Sequence, residues 1–152
     1  MFKKFTIFIV CLLPWFLNNI IKVDYNYYKE IKLPFFAPPN IFYGIAWTII
    51  YILISITVYS IVTSYKLKDI PKEYKIILLI NYIANQSYTL VFFGLKCNFL
   101  GFVSCIITFI TSLFLYEETS LLQSKKANLL SPYILLSLFA SILSLTIFLL
   151  NV

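Results

Sequence analysis

Five long stretches of the chain carry no charged side chain: Phe5–Ile21, Leu33–Tyr65, Ile76–Leu95, Cys97–Tyr116 and Ala127–Val152. Every lysine, aspartate and glutamate falls between them, and the chain has neither arginine nor histidine. An ionised side chain at mid-bilayer costs at least about 2.5 kcal/mol, and about 20 apolar residues span the hydrocarbon core. The pattern predicts an all-α membrane protein, a bundle of five transmembrane helices at about 5–21, 40–64, 76–95, 99–116 and 128–151. Five helices and their connections use the whole length, so residues 1–152 form a single transmembrane domain.

Composition agrees. The chain is 61% hydrophobic with 12% charged residues and a mean hydropathy of +0.91, too few charges to cover a soluble domain of this size. The net charge of +6 comes from lysines scattered through all the connections, which suits flanks of membrane helices and not a nucleic-acid surface. Met1-Phe2-Lys3-Lys4 resembles the start of a signal peptide, but no small-residue cleavage site follows, so a retained first helix is expected. The amino tail and the second and fourth connections hold eight lysines against four in the other two, which favours a cytoplasmic amino terminus. The three cysteines, Cys11, Cys97 and Cys105, lack metal-type spacing and read as buried thiols.

Several chemistries are excluded. No histidine means no imidazole base and no proximal haem ligand. No carboxylate lies within a predicted helix, so a pump-type proton relay has no members. Three glycines, Gly44, Gly94 and Gly101, make no phosphate loop. No cofactor and no metal are expected.

Aromatic rings and uncharged amides remain. Tyr43, Trp47 and Tyr51, spaced by four, share one helix face. Asn81, Asn85 and Tyr88 share another, with Gln86 beside them and Phe92 one turn on. Ser137, Ser141 and Ser144, with Ala140 adjacent, form a small-residue stripe suited to close helix packing. Amides in hydrocarbon must find partners, and those on the 76–95 helix either glue helices together or line a ligand pocket. The first connection, Lys22 to Pro39, holds Tyr25, Tyr27, Tyr28, Phe35 and Phe36 among three prolines. It reads either as an aromatic belt at the headgroups or as a stiff cover over a cavity suited to a flat, apolar ligand.

Asp24-Tyr25-Asn26-Tyr27-Tyr28, Pro34 to Pro39, Phe42 to Trp47, Tyr51, Asn81, Asn85, Gln86, Phe92 to Lys96, Leu129 to Tyr133 and Asn151 occur in an order that resembles the TspO/MBR family, the tryptophan-rich sensory or translocator proteins. The likeness covers about residues 24–151, and the double-proline-to-tryptophan stretch is its specific part. It implies a homodimer of five-helix bundles in a bacterial cell membrane. It also implies binding of porphyrins and other tetrapyrroles, with sterols and benzodiazepine-type drugs as further ligands, in a pocket closed by the first connection. The porphyrin would be a ligand and not a cofactor. By position, the resemblance puts Trp47, Asn81 and Asn85 in the pocket and Phe92 at its flank, with Tyr27, Phe36, Ala37 and Pro39 as its cover. Tyr43, Tyr51 and Tyr88 complete the expected site.

Tyr27, Phe36, Tyr88 and Leu136 stand where the family often has tryptophan, leaving Trp15 and Trp47. Enzymatic, light-dependent porphyrin breakdown by pocket tryptophans is therefore a weaker expectation than binding, since tyrosine and phenylalanine also stack on flat rings. An accessory subunit of a transporter, with no ligand of its own, is the remaining alternative.

Overall fold

A computed structural model of the chain describes residues 2–20, 24 and 26–152, with backbone only for Phe2, Lys3 and Asn19. Ile21 and Lys22, where the first helix is expected to meet the first connection, and Tyr25 of the aromatic segment lie outside the described residues. Every regular element among them is helical.

The first helix, α1 (Phe2–Leu12), ends well short of the expected 5–21 span. It tightens into a 3-10 helix over Leu13–Ile20. Proline has no N–H to give the preceding turn, and the tighter winding is held from outside. The Tyr82 hydroxyl donates to the Pro14 carbonyl at 3.0 Å, and Gln86 Nε2 donates to the Trp15 carbonyl at 3.2 Å. A one-turn helix, α2 (Tyr27–Glu30), follows within the first connection.

α3 (Asn40–Ser64) starts directly after Pro39, whose φ of −57° suits a helix entry. α1 packs along it, with Ser55 Oγ donating to the Cys11 carbonyl at 3.2 Å and Phe8 set edge-on to Tyr59. α4 (Lys72–Tyr88) begins a turn earlier than its charge-free stretch, because Pro71 supplies the entry and Glu73 complements the positive helix end. It widens into a π-helical turn, Thr89–Gly94. Lys96 then reverses the chain with φ of 50°, in the left-handed region.

α5 (Asn98–Ala127) corrects the expected 99–116 span. Glu117–Lys126, expected as a loop, is helical except at Gln123, where φ of −150° and ψ of 80° break the spiral. Glutamate, lysine and leucine are good helix formers, so the charges mark the approach to water and not the helix end. The break is pinned to α3: Ser60 Oγ donates to Gln123 Oε1 at 2.6 Å, and the Tyr65 hydroxyl to the Leu122 carbonyl at 2.9 Å. After a 3-10 turn, Asn128–Leu130, the chain returns as α6 (Ser131–Leu150).

α5 and α6 run antiparallel. Cys105 meets Ser144, and seven residues on, Ser112 meets Ser137, each pair at 3.3 Å. Small side chains let the backbones approach. The same holds between α4 and α5, where Ser104 Oγ donates to the Ala84 carbonyl at 2.6 Å. A Cβ on Gly101 would sit 2.7 Å from Phe92 Cδ2.

Three helical runs are long and apolar enough to cross a membrane: Asn40–Ser64, Lys72–Gly94 and the 53-residue Asn98–Leu150, which comprises α5, the 3-10 turn and α6. Lys4–Asn18 is apolar but shorter. Their outer faces expose large apolar side chains such as Phe5, Ile41 and Leu135, as a lipid-facing bundle does.

Candidate ligand cavity

A cavity of about 530 Å³ lies where the Leu13–Ile20 segment, α3, α4, α5 and α6 converge. One side is aromatic. Tyr51 sits between the two tryptophans, its ring centroid 5.5 Å from Trp15 at 26° and 5.8 Å from Trp47 at 38°. Phe16, Tyr43, Tyr88 and Phe93 extend this wall. The facing side, from α5 and α6, is small and polar: Cys105, Thr108, Ser137 and Ser144, with Ala140 and Leu143. Asn18, Asn40, Gly44, Thr48 and Thr89 complete the lining. One amide is central. Asn85 Oδ1 accepts from the Tyr51 hydroxyl at 2.9 Å and from Gln86 Nε2 at 3.4 Å.

Five of the sequence-predicted residues line this space: Tyr43, Trp47, Tyr51, Asn85 and Tyr88. Six do not. Asn81 lies one turn earlier on α4, fully buried, and both its amide nitrogen and oxygen are bonded to protein. Its Nδ2 donates to the Thr108 carbonyl at 3.1 Å and Thr111 Oγ1 at 2.8 Å, and its Oδ1 accepts from the Tyr133 hydroxyl at 2.8 Å. Phe92 is buried behind the wall, stacked on Tyr88 at 5.1 Å and 11°. The π turn explains this, since the wider winding breaks the four-residue spacing and Phe93 reaches the cavity instead.

Tyr27 gives way to its neighbour. Its hydroxyl donates to the Lys96 carbonyl at 3.2 Å and Asn98 Oδ1 at 2.9 Å, facing the α4–α5 turn. Tyr28 lines the cavity, with its hydroxyl 3.1 Å from that of Tyr43. Phe36 packs edge-on to Phe139, the Ala37 N–H closes a turn on the Pro34 carbonyl, and Pro39 starts α3. These residues stand around the cavity without touching it. Trp15, Phe16 and Asn18 are absent from the expected site. Their one sequence signal is an indole beside a mid-helix proline.

The first connection is tied at both ends. Lys32 and Asn151 exchange two bonds, N–H to Oδ1 at 2.8 Å and Nδ2 to the Lys32 carbonyl at 2.9 Å. At the other end Lys96 Nζ lies 3.2 Å from Asp24 Oδ2 and 3.3 Å from Glu30 Oε2, above the Tyr27 ring. The Asn26 N–H, and then Lys96, hold the Asp24 carboxyl below its ordinary pKa. Asp24, and then Glu30, raise that of Lys96. Among the described residues no group of three or more His, Cys, Asp or Glu side chains could hold a metal ion.

Residues 5–150 match the sequence profile of the TspO/MBR family. The chain belongs to the TspO/MBR family. It is 35% identical to the tryptophan-rich protein TspO of Bacillus cereus over 155 aligned positions, covering 99% of this chain and all of that protein. It is 33% identical to the tryptophan-rich protein TspO of Archaeoglobus fulgidus, over 83% of this chain and 80% of the relative. An uncharacterised membrane protein of Bacillus subtilis, YtaB, is 32% identical over 82% and 80%. Long apolar helices and TspO/MBR membership together mark an integral membrane protein.

Proposed function

We propose that the chain crosses a bacterial cell membrane five times and holds a flat, largely apolar ligand of the porphyrin or tetrapyrrole type, acting as a sensor, carrier or scavenger. The observation that carries this reading is the two-sided cavity, rings on one wall and hydroxyls on the other. Its volume suits small-molecule sites of about 300–1,000 Å³. A flat macrocycle would stack on Trp47 and Tyr88, with its polar edge toward Ser137 and Ser144 and its acceptors toward the Asn85 amide. Tyr27, Phe36, Ala37, Pro39 and Phe92 would act from behind by fixing Tyr28, α3 and Tyr88. Asn81 would hold α4 against α5 and α6. Dimerisation belongs to the same proposal.

Porphyrin titration of the purified protein, read by tryptophan quenching, tests it. The Trp47→Ala, Asn85→Ala double variant should bind at least about tenfold more weakly, about 1.4 kcal/mol. Equal response by variant and wild type contradicts the assignment.

A second reading, light-dependent breakdown of the bound porphyrin, is favoured by one observation: both tryptophans flank Tyr51 in the cavity wall. Illumination in air should then bleach the porphyrin absorption band in wild type and not in a Trp15→Phe, Trp47→Phe variant. Equal bleaching in both removes this reading.

A further inference from the structure

Gly44 and Thr48 belong to two surfaces at once. Both line the central cavity, and both line an apolar groove on the outside of α3 together with Ile41, Ile45 and Ile49. A Cβ added at Gly44 would meet no atom within 4 Å, so the space beside it is open. Thr48 Oγ1 donates back to the Gly44 carbonyl at 2.7 Å, which ties its one polar group to its own helix. The three isoleucines are 74%, 58% and 52% exposed. The wall between cavity and outer surface is here one helix edge with a missing side chain, flanked by apolar residues.

We propose that the gap at Gly44 and Thr48 is a lateral portal through which an apolar ligand passes between the bilayer and the cavity. The proposal rests on the reading of the cavity as a ligand site. It makes the bilayer, and not water, the source of the ligand, and selects molecules that partition into lipid. On the side of the first connection, the Tyr28–Tyr43 hydroxyl contact and the Lys32–Asn151 pair tie the described residues together. The lateral route breaks none of these, and the Thr48 hydroxyl on its sill is already bonded. Entry from lipid also keeps the aromatic wall out of water throughout.

The test is stopped-flow quenching with protoporphyrin on the full chain in lipid nanodiscs. Wild type is compared with Gly44→Ala, Gly44→Leu and Asn151→Ala. In the Gly44→Leu protein, association and dissociation should both slow by about tenfold. Gly44→Ala, whose methyl meets no atom within 4 Å, should slow both rates less than Gly44→Leu, and Asn151→Ala should leave both near wild type. In wild type, the association rate should follow the porphyrin-to-lipid ratio when lipid is varied at fixed porphyrin, a readout independent of any variant. Unchanged rates in Gly44→Leu overturn the portal, as does an affinity loss carried by faster dissociation, which would make Gly44 a contact and not a gate. Faster exchange in Asn151→Ala alone would assign entry to the first connection. Absence of saturable quenching in wild type would sink the ligand reading itself, whereas binding with rates blind to Gly44 sinks only the portal.

Discussion

Asn81 and Asn85 stand one turn apart on α4, yet their surroundings give them different work. Asn81 meets donors and acceptors from α5 and α6 on all sides, whereas Asn85 borders the cavity and bonds through Oδ1 to Tyr51 and Gln86. Replacing Asn81 by alanine removes the 2.8 Å bond that the buried Tyr133 hydroxyl donates, with Asn85 as its remaining partner, and loss of such a bond costs about 0.5–1.5 kcal/mol. Asn81→Ala should therefore lower the thermal unfolding temperature in detergent and leave the porphyrin affinity of the folded fraction nearly unchanged. A large affinity loss at unchanged stability would put Asn81 in the site after all. Gly101 makes a similar case for packing. The methyl of Gly101→Ala would press on Phe92, and overpacking of this kind costs about 1–3 kcal/mol. Gly101→Ser should be at least as harmful, and a protein with wild-type stability would contradict the contact. Spacing alone shows that both asparagines share a face. It does not show where that face passes from cavity to protein, because the partners come from helices 27 to 52 residues away.

Among the elements, the first connection has a pH dependence that can be worked out. Asp24 titrates below its ordinary value of 3.8, so its contribution is complete above that value and is lost as pH falls through the lowered one. Lys96 titrates above its ordinary 10.5, so its contribution is complete below 10.5 and is lost as pH rises through the raised value. Amide hydrogen-exchange protection of Tyr27–Glu30 should then be flat across neutrality and fall at both extremes. A step near neutral pH would contradict the ion-pair anchor. High salt should also weaken this anchor, because all three side chains are exposed. Elements were legible in the sequence where charge and helix ends coincide, as in the tight turn around Lys96. They were not where the two separate. α5 runs on past Glu117 and Glu118, since these residues favour helix as much as water. The π turn has no signature in periodicity, and its extra residue per turn exchanges Phe92 for Phe93.

For the molecule as a whole, the charge-free stretches carried most of the architecture, because burying a charge in hydrocarbon outweighs any local propensity. The cavity was only half legible. Trp47, Tyr51 and Asn85 lie on regular helix faces and could be found by counting, but Trp15 joins them through the 3-10 winding after Pro14, a tertiary outcome. The Leu13–Ile20 segment and α3 to α6 surround one space with rings facing hydroxyls, and both indoles would then report on a single shared ligand. Two single-tryptophan proteins, Trp15→Phe and Trp47→Phe, test it most directly when titrated with protoporphyrin. The remaining indole in each should be quenched saturably, at one porphyrin per chain, with midpoints close to each other. Quenching of one indole only, or a linear response without saturation, would contradict it.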